Sequence, residues 1–312
     1  LFVNLFSSIN GRQEANVHWN NKLSDKWSTG LYIHGNQRSL ATDRNKDDFL
    51  DLPLTKQVNL LNRWQYTDTE KGWVSFLSLR YLDDQKQTGA ENFNPDTDRG
   101  LTNRWGSEID TQRFDASLKL GYVFPLLTYQ SFGFQAAYNS HDQKAYYGLR
   151  QYDINHKSFF SNLLFNSILG NTKNKFKTGL NLAWDRYDEW VDGTNYQRTD
   201  RVLGAFFEYT YDSLDRWNIV AGLRVDSHNN LGTFITPRLH ARYTPWERAA
   251  LRFSMGQGRK AANVLDTQLP AGVAHEYKSS WFGRREFTAF ATEVTLSRVH
   301  HICVHDGQSA SY

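Results

Sequence analysis

The side chains with the strongest claim to chemistry sit in three places. The run from Asp43 to Asp51 sets the oxygens of Asp43, Asn45, Asp47 and Asp51 at positions 1, 3, 5 and 9 of a calcium-type loop. Calcium takes about six to eight oxygens held flexibly, and alternating carboxylates and carboxamides supply them. Asp48 stands where a glycine should allow the sharp turn, and Leu54 where the closing glutamate should be, so the competing reading is a solvated acidic loop. Calcium is the one cofactor this reading offers. A second group, Tyr146, Tyr147, Arg150 and Tyr152 with Trp190, Tyr196 and Arg198, combines flat aromatic faces that stack on sugars or aromatic groups with guanidinium forks that grip carboxylates. These residues either touch a small-molecule or glycan ligand or pack polar loops against each other. Third, His301, Cys303 and His305 would put three zinc-type ligands on one face of a strand, but without a fourth at a fixed spacing and within the irregular tail, so an accident of register is the favoured account. No nucleophile–base or paired-carboxylate set is recognisable, so the chain reads as no enzyme.

The elements that must position these groups are constrained by composition. The chain has 312 residues, 36 basic against 33 acidic for a net charge of +3, and its basic residues are scattered, which excludes a nucleic-acid partner. No run of about 18 apolar residues exists, so a helical membrane protein is excluded, and 15% aromatic residues excludes a solvated disordered chain. The single cysteine, Cys303, rules out an internal disulfide framework. The sequence opens at Leu1 without Met or an apolar leader, which reads as a removed signal or a fragment.

Strict alternation, not helical spacing, runs along the sequence. Trp217, Ile219, Ala221, Leu223 and Val225 alternate with polar neighbours, as do Ile235 to Tyr243, Ala116 to Phe124 and Phe132 to Tyr138. About twelve such segments precede Gly258. Most reach the ~9 to 11 residues a tilted strand needs to cross a bilayer, where strands of soluble sandwiches run about 5 to 6. Short turns (21–26, 67–72, 125–128, 170–174, 214–216, 245–247) interleave with long polar segments read as outer loops (37–56, 84–106, 143–155, 188–200, 228–233). Trp19, Trp27, Trp64, Trp73, Tyr122, Phe124, Tyr129, Trp217, Tyr243 and Trp246 lie beside the short turns, where an interfacial aromatic girdle is expected. Unpaired backbone groups cost several kcal/mol each in hydrocarbon, so a sheet that spans a membrane closes on itself. Lys119, Gln135, Asn181, Asp185, Glu208, Arg224, Arg238, Arg242 and Arg252 then face a wet lumen.

Three segments carry a family resemblance: Gly222-x-Arg224-x-Asp226, Thr236-Pro237-Arg238-Leu239, and Leu251-Arg252-x-Ser254-x-Gly256-x-Gly258. In this order the chain resembles the TonB-dependent outer-membrane receptors, particularly those of Bacteroidetes. The resemblance implies an all-β fold, an antiparallel transmembrane β-barrel of which about twelve of ~22 strands are present, with short periplasmic turns and long outer loops. It implies residues 1–264 as partial barrel, no plug domain within the chain, and an irregular tail over 265–312 that a frameshift or truncation would explain. It further implies the outer membrane of a Gram-negative bacterium, contact with outer-membrane lipid, coupling to the TonB complex through the missing plug region, and active uptake of a scarce ligand: a ferric siderophore, haem, cobalamin or glycan. A passive porin-like channel and a soluble β-rich binding module are the alternatives.

Overall fold

The computed structural model describes residues 1–213, 216–246, 249–261 and 286–298, with side chains through residue 258. Fourteen strands and one short helix follow the sequence pattern: β1 (Phe2–Ser7), β2 (Arg12–Lys22), β3 (Trp27–Arg38), β4 (Leu54–Asp68), β5 (Trp73–Gly89), α1 (Pro95–Asp98), β6 (Gly106–Val123), β7 (Ser131–Tyr147), β8 (Arg150–Leu169), β9 (Asn171–Val191), β10 (Thr194–Asp212), β11 (Trp217–His228), β12 (Gly232–Trp246), β13 (Ala249–Ala261) and β14 (Glu286–Arg298). They form one sheet in chain order, each strand hydrogen-bonded to the next. The expected twelve segments are β2 to β13, and the structure adds β1 and β14. β14 falls within the stretch expected to be irregular and pairs antiparallel with β13 over thirteen residue pairs, Ala249 facing Arg298 and Ala261 facing Glu286.

By compactness the chain divides into two units. In the first, residues 1–165, 179–204 and 227–232, register carries the alternation from strand to strand. Asn16 faces His34, His34 faces Asn59, Arg80 faces Asp115 and Asp115 faces Asn139, so one face of the sheet is polar. The other face is mainly apolar and open: Trp73 opposes Tyr122 and Leu77 opposes Leu118, with polar residues such as Asn62 opposite Leu31 and Ser75 opposite Leu120 interspersed. Along its short-turn end Trp27 packs on Tyr66 at 4.9 Å, Trp73 on Tyr122 at 4.8 Å and Phe132 on Phe165 at 4.7 Å, the row of aromatics expected there. Trp27 and Trp73 stay 45% exposed, which in water would be a liability and against lipid headgroups is an anchor. Gly72 closes one of these turns at φ 75°, where a Cβ would meet the Val123 carbonyl.

The second unit, residues 166–178, 205–226 and 233–312, repeats the two-faced pattern. Trp217 stacks on Tyr243 at 4.3 Å and Phe176 on Phe207 at 5.9 Å on the apolar face. Arg242 opposes Arg252 and His240 opposes Ser254 on the polar face.

Three of the five segments expected as long outer loops are instead tight hairpins; in 228–233, β11 runs to His228 and β12 starts at Gly232, leaving three residues. β7 runs to Tyr147 and β8 starts at Arg150, and β9 runs to Val191 and β10 starts at Thr194, leaving two-residue turns. Asp192 and Gly193 take φ 48° and 83°, the two positive values that a type I′ hairpin needs. At 20, 21 and 19 residues, β8, β9 and β10 exceed the membrane-crossing length about twofold, so paired strand rather than loop fills those segments. Genuine loops remain at 39–53 and 90–105. They are tied to each other: Leu50 N–H donates to the Gly89 carbonyl at 2.9 Å and Glu91 N–H to the Asp48 carbonyl at 2.8 Å.

Candidate ligand-binding face

Residues two apart on a strand share a face, so an Arg and a carboxylate at that spacing can pair without distorting the backbone. The polar face uses this repeatedly. Arg113 Nε donates to both Asp115 oxygens at 3.1 and 3.0 Å, and Arg224 Nε to both Asp226 oxygens at 2.9 and 2.7 Å. Arg198 Nε lies 2.9 Å from Asp200 Oδ2, and Arg12 pairs with Glu14. Asp226 is only 5% exposed, and this fork supplies its charge-assisted hydrogen bonds.

The densest group sits toward the hairpin ends of β8, β9 and β10 on the polar face. His156 Nε2 is 2.9 Å from Asp185 Oδ1, and its ring stacks on Tyr187 with centroids 4.3 Å apart and planes 4° from parallel. The Arg198 guanidinium lies over the same Tyr187 ring, 4.5 Å from its centroid. Cation and imidazole thus share one aromatic platform, with Asp185 bonded to the imidazole and Asp200 paired with the cation. Glu189, next but one after Tyr187, is 1% exposed beside Tyr152, and among the described residues its Oε2 has no hydrogen-bond partner. Such a face gathers a covered aromatic ring, an ion-paired guanidinium and a buried carboxylate within three neighbouring strands. It suits a polar, hydrogen-bonding ligand.

The sequence-based candidates divide on this geometry. Tyr152, Tyr196 and Arg198 lie on the polar face with His156 and Tyr187, two platform groups not among the sequence candidates; the Arg198-x-Asp200 spacing is the signal that leads to them. Tyr147 and Arg150 flank the β7–β8 turn and are exposed. Trp190 lies on the opposite face and is 46% exposed. Tyr146, 4% exposed, is covered by its own neighbouring loop: Arg99 stands 4.6 Å over its ring and Phe93 6.3 Å away. Gly106 makes room for that cover, since a Cβ there would strike the Phe93 ring at 2.3 Å. The loop is pinned at α1, where Asn94 caps the first turn and Asp98 accepts from Asn94 N–H at 3.0 Å. That bond, with Asn103 and Arg104 alongside, holds the Asp98 carboxyl below its ordinary range despite burial acting the other way.

In the acidic loop, the side chains turn inward. Asp43 Oδ1 accepts from Lys46 N–H at 2.7 Å and Oδ2 from Asp48 N–H at 2.9 Å; Asp47 accepts from Phe49 N–H at 2.9 Å and from the Asn45 carboxamide at 2.8 Å; Asp51 accepts from Arg44 N–H at 3.0 Å. Among the described residues no group of three or more His, Cys, Asp or Glu side chains converges for a metal. His301, Cys303 and His305 lie outside the described residues.

The motif residues cooperate in the second unit. Arg238 ion-pairs with Glu208 and passes beside Gly222, where a Cβ would come within 2.9 Å of its Nε. Gly256 faces Arg238 directly in the register, so glycines on both neighbours leave its side chain space to reach across. Arg252 and Ser254 lie on that face opposite Arg242 and His240, whereas Pro237 and Leu251 point to the apolar one and Thr236 and Gly258 keep the polar parity.

Comparison with known proteins places this arrangement. The siderophore receptor PirA from Pseudomonas aeruginosa superposes with a TM-score of 0.60 at 14% identity, over 84% of this chain and 42% of that one. FpvA of P. aeruginosa, solved with heterologous pyoverdines, gives 0.63 at 13% identity over 84% and 42%. The siderophore receptor PiuA from Acinetobacter baumannii gives 0.61 at 10% identity over 81% and 48%. The chain thus spans less than half the length of these receptors, and no curated protein sequence matches it. The family model for the TonB dependent receptor-like β-barrel matches residues 5–278, and the chain belongs to that family.

Proposed function

We propose that this chain forms wall of an outer-membrane receptor that takes up an iron chelate actively, driven through TonB. The observation that carries the reading is the His156–Tyr187–Arg198 platform on the polar face of a barrel whose structural neighbours are a siderophore receptor, a ferric enterobactin receptor and a ferric citrate transporter. Ferric chelates of these classes present many oxygen acceptors, which the N–H and O–H groups of Arg198, His156 and Tyr187 can meet with hydrogen bonds. The family comprises receptors and transporters, which supports a binding and transport role rather than catalysis.

Uptake by cells expressing the receptor that contains this chain tests the proposal, with ferric enterobactin and ferric citrate as probes. Accumulation of at least one, stopped by a protonophore and reduced about tenfold or more by Arg198→Ala with Tyr187→Leu, is expected. Failure to take up either chelate, or flux that persists without the proton gradient, overturns it.

For calcium we propose no structural role. The acidic loop closes on its own N–H groups, and a cation would have to displace those bonds. Calorimetric titration with calcium is expected to show no heat arising from this loop, and heat abolished by Asp43→Asn with Asp47→Asn would refute this.

A further inference from the structure

On the apolar face of the first unit, each strand leaves its apolar run at one polar residue on the hairpin side. On β5, β6 and β7 these are Asp83 beyond Tyr81, Gln112 beyond Phe114 and Ser140 beyond Tyr138. On the next three strands they are all cations: Lys157 beyond Phe159 on β8, Arg186 beyond Trp184 on β9 and Arg201 beyond Leu203 on β10. All three are exposed, and none takes part in an ion pair among the described residues. Directly below them Phe159, Leu182, Trp184 and Leu203 line a groove of about 510 Å³ whose rim includes Arg201 and Asn229. Leu203 there is 61% exposed.

We infer that this sector of the wall binds a phosphorylated lipid, its phosphate held by Lys157, Arg186 and Arg201 and an acyl chain lying in the groove beneath. The argument is charge complementarity at a fixed depth. Unpaired cations directly above an apolar surface meet the headgroup layer of the lipid that surface faces, and an arginine fork matches a phosphate with two hydrogen bonds. Neither half suits a soluble protein partner: the groove is an extension of the lipid-facing band, and the cations stand where that band ends. The inference rests on the membrane part of the function proposed above and is independent of which ligand is taken up.

The receptor containing this chain, purified in dodecyl maltoside, is titrated with diphosphoryl lipid A and with the same lipid after removal of its phosphates. Wild type is expected to prefer the phosphorylated probe, and Lys157→Gln/Arg186→Gln/Arg201→Gln to bind it about tenfold or more weakly. The charge-matched control Lys71→Gln/Lys173→Gln/Lys175→Gln, at the short-turn side, is expected to bind as wild type. Equal binding of the two lipids by wild type, or equal loss in both triple variants, overturns the site. Chelate uptake measured on the same variants separates the two proposals, because intact uptake with no lipid preference removes only this one.

Discussion

Arg224 and Asp226 show how a polar wall is built from neighbours in sequence. The carboxylate is buried, and the guanidinium, itself 40% exposed, supplies three of its bonds. Arg224→Ala leaves that carboxylate without its fork and is expected to cost about 1–3 kcal/mol of stability. Arg224→Leu with Asp226→Leu removes both partners and should recover most of the loss in a thermal melt read by heat-modifiable gel migration. If the double variant is no more stable than the single one, the pair is not the source of the effect. The same spacing at Arg113–Asp115 and Arg198–Asp200 was legible in the sequence. What it could not disclose is that Arg198 also lies over Tyr187 on the neighbouring strand, since cross-strand contacts depend on register.

At the scale of elements, hairpin against loop was the decision that polar composition obscured. Segments 143–155 and 188–200 are rich in polar residues because a strand wetted on both sides needs no apolar face, so its alternation vanishes although its pairing persists. Asp192-Gly193 was the signal that distinguished the second of them. The 90–105 loop is a different case, a folded cap held by Asp98. Its carboxyl titrates below the ordinary value, so its contribution is present above about pH 4 and is lost as pH falls through the lowered folded value. Proteolysis of the loop is therefore expected to accelerate at and below about pH 4 in wild type, and Asp98→Asn to be susceptible at neutral pH as well. A cleavage rate equal in the variant and wild type at pH 7 would show that Asp98 does not pin the cap.

For the whole molecule, the outcome turns on what covers the open apolar face. Trp27, Trp73, Leu77, Leu163, Leu180, Leu203, Trp217, Leu223 and Ile235 are all more than a third exposed, and the interior of the described sheet offers them no shelter. The protein is expected to stay dispersed in detergent and to aggregate when detergent is withdrawn. A monodisperse sample in plain buffer by light scattering would contradict a lipid-facing surface.

Period-two alternation by itself determined that this chain is all-β, which residues share a face, and where the aromatic rows lie, because side-chain direction in a strand follows from position alone. The Gly222 and Arg238 motifs were likewise readable, and the structure supplies their reason in the space one leaves for the other. Tertiary structure decided the rest. Strand neighbours and their register brought His156, Tyr187 and Arg198 onto one platform, buried Tyr146 beneath a loop from elsewhere in the chain, and set three cations along one edge of the apolar band. Those are distances between residues far apart in sequence, and pairing geometry fixes them where composition does not.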